Sequence, residues 1–259
     1  MPQLTDIITI HKHETVTLVG SGGKSSLMWL LAETDRQLKT LVTTTTKISS
    51  CPKRQYEDFR DSRTLFSSPI KMGITLAGEK IPGDERKLGG LDPEILEKGR
   101  GLFDRILIEG DGSRTLPLKG WADYEPVVPW YTGCTIGVIT LWPLGRQIDE
   151  SIVLRLQMFS EITGAREGDV FTLNHALSVI THPQGLWKNS LGRRILFINQ
   201  VEDSRSKECA EQLVEMITPD ARECFFLIIA GSVRNNQGSV LACSPASKEH
   251  SRGIPFPFR

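Results

Sequence analysis

The chain has 259 residues, 31 Lys plus Arg against 31 Asp plus Glu, and 39% hydrophobic residues, a composition that buries a core and excludes a disordered chain. The balanced charge supplies no overall field for nucleic acid or an anionic membrane, so any charge-driven binding is local. The longest strongly apolar run, Cys224 to Ala230, is too short to cross a bilayer, and the opening MPQLTDIITI lacks the pattern of a signal peptide, so cytoplasmic residence is expected.

In chain order, Thr15 to Val19 is a β-rich run that ends in glycine, and Ser25 to Glu33 follows with Leu27, Leu30 and Leu31 on one helical face. Leu41 to Thr45 reads as a second strand a helix-length later, as in parallel strands joined by a crossover helix. Between Lys47 and Gly90 the prolines and charges predict mostly loop, with short strands at Thr64 to Phe66 and Gly73 to Leu76. Asp92-Pro93 starts a helix to about Lys98, with Asp as N-cap and Pro in the first turn. Phe103 to Glu109 and Thr135 to Leu141 have the contiguous apolar residues of strands covered on both faces. Ile152 to Ile162 then predicts helix, Arg194 to Asn199 strand, Lys207 to Ile217 helix and Phe225 to Ala230 strand. The alternation predicts an α/β fold, a doubly wound, mostly parallel sheet of P-loop NTPase type with helices on both faces. Residues 1–148 form the expected nucleotide-binding core. Residues 149–231 continue the same domain or make a small second lobe, and 232–259, rich in Ser, Asn, Gly and Pro, are expected to be a loosely ordered tail.

The five cysteines, Cys51, Cys134, Cys209, Cys224 and Cys243, contain no Cys-x-x-Cys pair and read as reduced, mostly structural thiols. His11 and His13 lack a nearby third ligand and read as a solvated pair.

Phosphate binding at a strand-to-helix turn needs inward-facing backbone N–H groups, a lysine and a hydroxyl. Gly20, Ser21, Gly22, Gly23, Lys24, Ser25 and Ser26 supply these in order. The long form of the motif requires glycine at position 18, which is Leu18, so the match is to a shortened form. Lys24 is expected to meet the β- and γ-phosphates and Ser25 to bind Mg²⁺; the alternative is an ordinary glycine turn. The run Thr43 to Lys47 lies at a strand's carboxyl end, where Thr44 and Thr45 are candidates for metal-bound water or a terminal phosphate. Glu109 and Asp111 end the most apolar strand and are candidates to bind Mg²⁺ or orient a nucleophile, which of them meets the metal being open. With Lys24 they form the expected catalytic set. Arg114 and Lys119 are candidate clamps for phosphate or an anionic second substrate, and Glu125-Pro-Val-Val-Pro129 for a stiff wall. Asn199-Gln-Val-Glu-Asp203 has a partial likeness to the Asn-Lys-x-Asp guanine-reading motif, but with Gln200 and Glu202 in two of four places a polar strand end is the better reading, and ATP versus GTP stays open.

In order, Val19 to Ser26, Thr43 to Ile48, Ile108 to Arg114, Pro117 to Lys119 and Glu125 to Pro129 resemble the YqeC-like family of selenium-dependent hydroxylase accessory proteins. Val153-Leu-Arg155, His182 to Gly185 and the strand ending at Asn199 extend the likeness from about Thr15 to Ala230. The loop Gly-x-x-Gly-Lys-Ser-Ser is similar to the phosphate loop of the Mur-ligase branch of P-loop proteins. The resemblance implies a protein that binds ATP or GTP with Mg²⁺ and serves the maturation of molybdenum hydroxylases carrying a labile selenium cofactor. Its partners would be the hydroxylase or its cofactor-maturation proteins, with no nucleic acid or membrane. Where the family more often has threonines after the loop lysine and a lysine after the strand-end asparagine, this chain has Ser25, Ser26 and Gln200. A Mg-dependent NTPase is the first expectation; a nucleotide-switched chaperone or scaffold and an ATP-dependent ligase-like enzyme are the alternatives.

Overall fold

The computed structural model describes residues 1–49, 56–84 and 87–244. Cys51 and residues 245–259 of the expected tail lie outside the described residues.

Nine strands form one sheet: β1 (Glu14–Gly20), β2 (Lys39–Thr44), β3 (Asp58–Arg60), β4 (Gly73–Ala77), β5 (Arg105–Glu109), β6 (Cys134–Thr140), β7 (Arg193–Asn199), β8 (Leu227–Ser232) and β9 (Gln237–Cys243). Their spatial order is β9-β8-β7-β6-β1-β5-β2-β4-β3. Every pairing is parallel except β8 with β9. Strands from both sides of residue 148 therefore bond into the same sheet. The helices are α1 (Leu4–Ile7), α2 (Lys24–Ala32), α3 (Pro93–Lys98), α4 (Leu156–Thr163), α5 (Leu173–Thr181), α6 (Ser204–Met216) and α7 (Pro219–Glu223).

Period-two alternation sends each central strand to two cores. Val16 and Leu18 of β1, Ile136 and Val138 of β6, and Ile195 and Phe197 of β7 pack with Leu27, Met28 and Leu31 of α2. Val19, Ile139, Leu196 and Ile198 face the other way, against Phe159 of α4, Val179 of α5 and Leu213 of α6. Helices on both faces of a largely parallel sheet make this a doubly wound α/β fold of the P-loop type. Among the described residues no helix is long and apolar enough to cross a membrane.

Three sequence expectations change. Thr64 to Phe66 is a turn, not a strand. The Arg60 guanidinium donates to the carbonyls of Leu65 (2.8 Å), Ser68 (2.8 Å) and Pro69 (2.9 Å), so these carbonyls are satisfied without a neighbouring strand. The helix expected from Ile152 begins only at Leu156, because Val153 and Leu154 pair in parallel with Leu118 and Lys119 and Arg155 turns the chain at φ 58°. The tail expected from residue 232 is an ordered hairpin as far as Cys243. β9 covers the edge of β8, and Asn236 in the turn accepts from the Leu4 backbone N–H (3.2 Å), clasping α1 to the last strand.

Candidate functional site

Ligands of open α/β sheets sit outside the carboxyl ends of the strands, and the charged residues of this chain converge there. β1 leaves the sheet into the glycine loop, which turns at once into α2. Gly22 and Gly23 adopt φ of 85° and 126°, where a side chain is strained, and a β-carbon on Gly23 would overlap the Asn199 amide. Lys24 opens α2 and is buried, at 2% exposure. Its Nζ donates to the Gly20 carbonyl at 2.6 Å and lies 3.3 Å from Asp111 Oδ1 and 3.6 Å from Glu109 Oε1. Ser25 Oγ donates to Glu109 Oε2 at 2.6 Å. The register that sets Leu18 of β1 beside Glu109 of β5 brings lysine, serine and carboxylate together from segments more than 80 residues apart.

The two carboxylates differ. Asp111 is wholly buried and saturated: the Gly20 N–H donates to both its oxygens (3.1 and 3.0 Å), Trp121 Nε1 donates to Oδ2 (2.7 Å), and Lys119 Nζ lies 3.0 Å from Oδ2. Glu109, by contrast, lines the cleft above the glycine loop. Burial pushes the Glu109 carboxyl up, against the pull of Lys24 and the Ser25 hydrogen bond. Burial acts the same way on Asp111, but there Lys119, Lys24 and the Gly20 N–H outweigh it and hold the group below the ordinary carboxylate range. Burial would lower Lys24; the attraction of Asp111 and Glu109 prevails and raises it.

Several expected site residues take structural positions. Lys119 is 1% exposed and donates to the Gly112 carbonyl (2.8 Å) and to Glu125 (3.0 Å), so it positions Asp111 and does not clamp a ligand in the cleft. Asp111, with no free oxygen and no exposure, is likewise no metal ligand in this arrangement. The Thr44 hydroxyl donates to the Glu109 carbonyl (2.9 Å), tying β2 to β5 under the cleft, while Thr45 and Thr46 reach its wall. Ser21 is buried and donates to the Pro117 carbonyl (2.8 Å). Arg114 is exposed on the cleft wall, in a turn where it and Thr115 both have positive φ, 50° and 66°. Ser25 and Ser26 are exposed at the head of α2. His175 caps its own helix, accepting from the Thr172 N–H at 3.2 Å. Among the described residues no group of three His, Cys, Asp or Glu side chains could hold a metal by itself.

The structure adds three contributors to the site. Arg155 donates to both oxygens of Glu125 (2.8 and 3.0 Å), which extends a row of alternating charge: Arg155, Glu125, Lys119, Asp111, Lys24, Glu109. Trp121 closes the last valence of Asp111. Asn199 donates from Nδ2 to the Gly22 carbonyl (2.7 Å) and accepts at Oδ1 from the Val233 N–H (3.1 Å). In the sequence Arg155 stands only within Val153-Leu-Arg155 of the family resemblance, Asn199 as a polar strand end with a partial likeness to a guanine-reading motif, and Trp121 carries no signal. The cleft over all of this has a volume of about 2180 Å³, above the usual range for a single small-ligand pocket.

Sheet order, strand-to-helix glycine loop, buried lysine and paired strand-end carboxylates define an α/β protein with P-loop architecture. The chain belongs to the YqeC family: the family model described as "YqeC protein" matches residues 16–157. It is also 30% identical over 219 residues, 82% of this chain and 86% of the relative, to the uncharacterized protein YqeC of Escherichia coli strain K12. No solved structure matches the chain.

Proposed function

We propose that the cleft binds a nucleoside triphosphate, ATP or GTP, with its phosphates over the glycine loop, and that the protein is a Mg²⁺-dependent NTPase. The supporting observation is the packing of Lys24, Ser25 and Glu109 at the head of α2, on the open floor of a large cleft. In this arrangement Lys24 already has its charge balanced by carboxylates. A triphosphate would draw the ammonium from Glu109 toward its own oxygens, and the first-turn N–H groups of α2 would add their partial positive charge. Mg²⁺ favours one or two carboxylates or hydroxyls together with phosphate oxygens. Ser25 and Glu109 fit that requirement and would hold the ion, which supplies neutralisation of phosphate charge. Family membership motivates the biological context, the maturation of selenium-dependent molybdenum hydroxylases in the cytoplasm, in company with the hydroxylase or its cofactor-maturation proteins.

Calorimetric titration with Mg-ATP and Mg-GTP, followed by phosphate release, tests this reading. Wild-type protein binds at least one of the two. Lys24→Ala and Ser25→Ala both weaken binding, and Glu109→Gln binds with slowed phosphate release. No heat with either nucleotide, or titrations that Lys24→Ala and Ser25→Ala leave unchanged, would overturn it.

A further inference from the structure

The two flanks of the cleft differ in chemistry, which gives a bound nucleotide a direction. Over β5 and β2 the wall offers hydroxyls and cations, Thr45, Thr46, Lys47 and Arg114, which suit a terminal phosphate or an anion. Over β6, β7 and β8 it offers the half-exposed indole of Trp142, the Asn199 amide, Glu202 and Ser232. Asn199 bonds the glycine loop and the segment after β8 with one amide. The chain then turns through Gln200 at φ 63°, with the Gln200 Oε1 accepting from Thr140 Oγ1 at 2.5 Å. Next comes Glu202, whose Oε1 accepts from the buried Ser232 hydroxyl at 2.7 Å. Among the described residues no lysine or arginine pairs with Glu202 and no side chain donates to its Oε2. Glu202 is exposed to the cleft, and its second oxygen, facing no protein donor, can exchange water for the donors of a ligand.

We propose that this flank seats the base of the nucleotide and that Glu202, oriented by Ser232, selects guanine. This rests on the reading of the glycine loop as the phosphate site. Guanine presents two adjacent donors, N1–H and the exocyclic N2–H₂, which match a carboxylate edge. Adenine presents one donor beside the N1 lone pair, which a carboxylate repels. A site that hydrogen-bonds a donor pair discriminates strongly against an analogue lacking it. The Trp142 ring, 52% exposed with the Arg146 guanidinium 4.1 Å from its centroid, supplies a stacking face on the same flank. Glu202 thus stands where a motif match alone was too weak to favour either nucleotide, and its bond to Ser232 is the feature that the sequence could not display.

The test is equilibrium binding of fluorescent N-methylanthraniloyl GDP, ADP and xanthosine diphosphate to the full chain. Wild-type protein prefers GDP over ADP by roughly tenfold or more. Glu202→Ala loses that preference by weakening GDP alone. Glu202→Gln keeps an oxygen for Ser232 but offers an amide N–H₂, so it weakens GDP and strengthens xanthosine diphosphate, which carries a carbonyl in place of the exocyclic amine. Equal affinity of wild-type protein for GDP and ADP, with both lost in Lys24→Ala, would overturn base selection while leaving the phosphate site standing. Binding of neither nucleotide would overturn both.

Discussion

Asp111→Asn tests whether the row of buried charges holds the fold together. The substitution is nearly isosteric, yet it removes the negative charge between Lys119 at 3.0 Å and Lys24 at 3.3 Å and turns an amide N–H₂ toward groups that are all donors. Removing one partner from a buried ion pair costs about 3–5 kcal/mol. Lys119 keeps Glu125 and Lys24 keeps Glu109, which places the loss at the low end, about 3 kcal/mol. For a chain of this size that lowers the melting midpoint by roughly 6–12 °C. The control is Glu109→Gln, two residues away. The amide of Glu109→Gln keeps an acceptor for Ser25, and Lys24 keeps Asp111 at 3.3 Å, so this variant loses less stability than Asp111→Asn. Urea denaturation of the nucleotide-free protein measures both. Equal losses in the two variants, or an Asp111→Asn protein as stable as wild type, would refute the assignment of these charges.

The same shifts set the acid response. With Asp111 held below its unfolded value, its stabilisation is complete above about pH 4 and is lost as pH falls through the lower folded value, so Asp111→Asn unfolds less steeply on acidification than wild type. Gly23→Ala, driven into Asn199 at φ 126°, abolishes nucleotide-induced stabilisation in scanning fluorimetry; a normal shift would show that the loop tolerates a side chain. Arg105 is buried and donates to Thr40, Thr34 and the Ala32 and Asp35 carbonyls, so Arg105→Met costs about 3 kcal/mol in denaturant melts and leaves nucleotide affinity unaltered. Burial pushes the Cys134 thiol up to about 12, so it stays silent toward disulfide reagents in the native state, while the exposed Cys224 and Cys243 react. Cys209 lines the cleft on the base side, and bound nucleotide slows its labelling.

The central strands were legible because Ile106 to Ile108 is an unbroken apolar run and Thr135 to Leu141 holds Ile136, Val138, Ile139 and Leu141 among residues that carry no charge, the signature of burial on both faces. The strand-to-helix turn was legible because glycine supplies the positive φ that Gly20, Gly22 and Gly23 adopt there. The roles of Asp111 and Lys119 were not, since a charged residue near a cleft looks the same in sequence whether it faces the ligand or turns inward to another charge. That depends on partners such as Trp121, Glu125 and Arg155, whose spacing carries no periodic signal. β9 was hidden by composition: Ser, Asn and Gly suit turns, and a strand on a sheet edge buries too little to show alternation.

The clasp between Leu4 and Asn236 has a bearing on how the molecule is made. Thr5 and Asn236 are 231 residues apart in bonding, and ribosomes add about 5–20 residues per second. On the order of 10–50 s therefore pass before the first helix meets the hairpin that receives it. Through that interval the buried Leu4 has no seat, whereas β8 is made only a few residues ahead of the β9 strand that covers its outer edge. The long wait therefore falls on the first helix, whose Leu4 is covered only when the closing hairpin has been made.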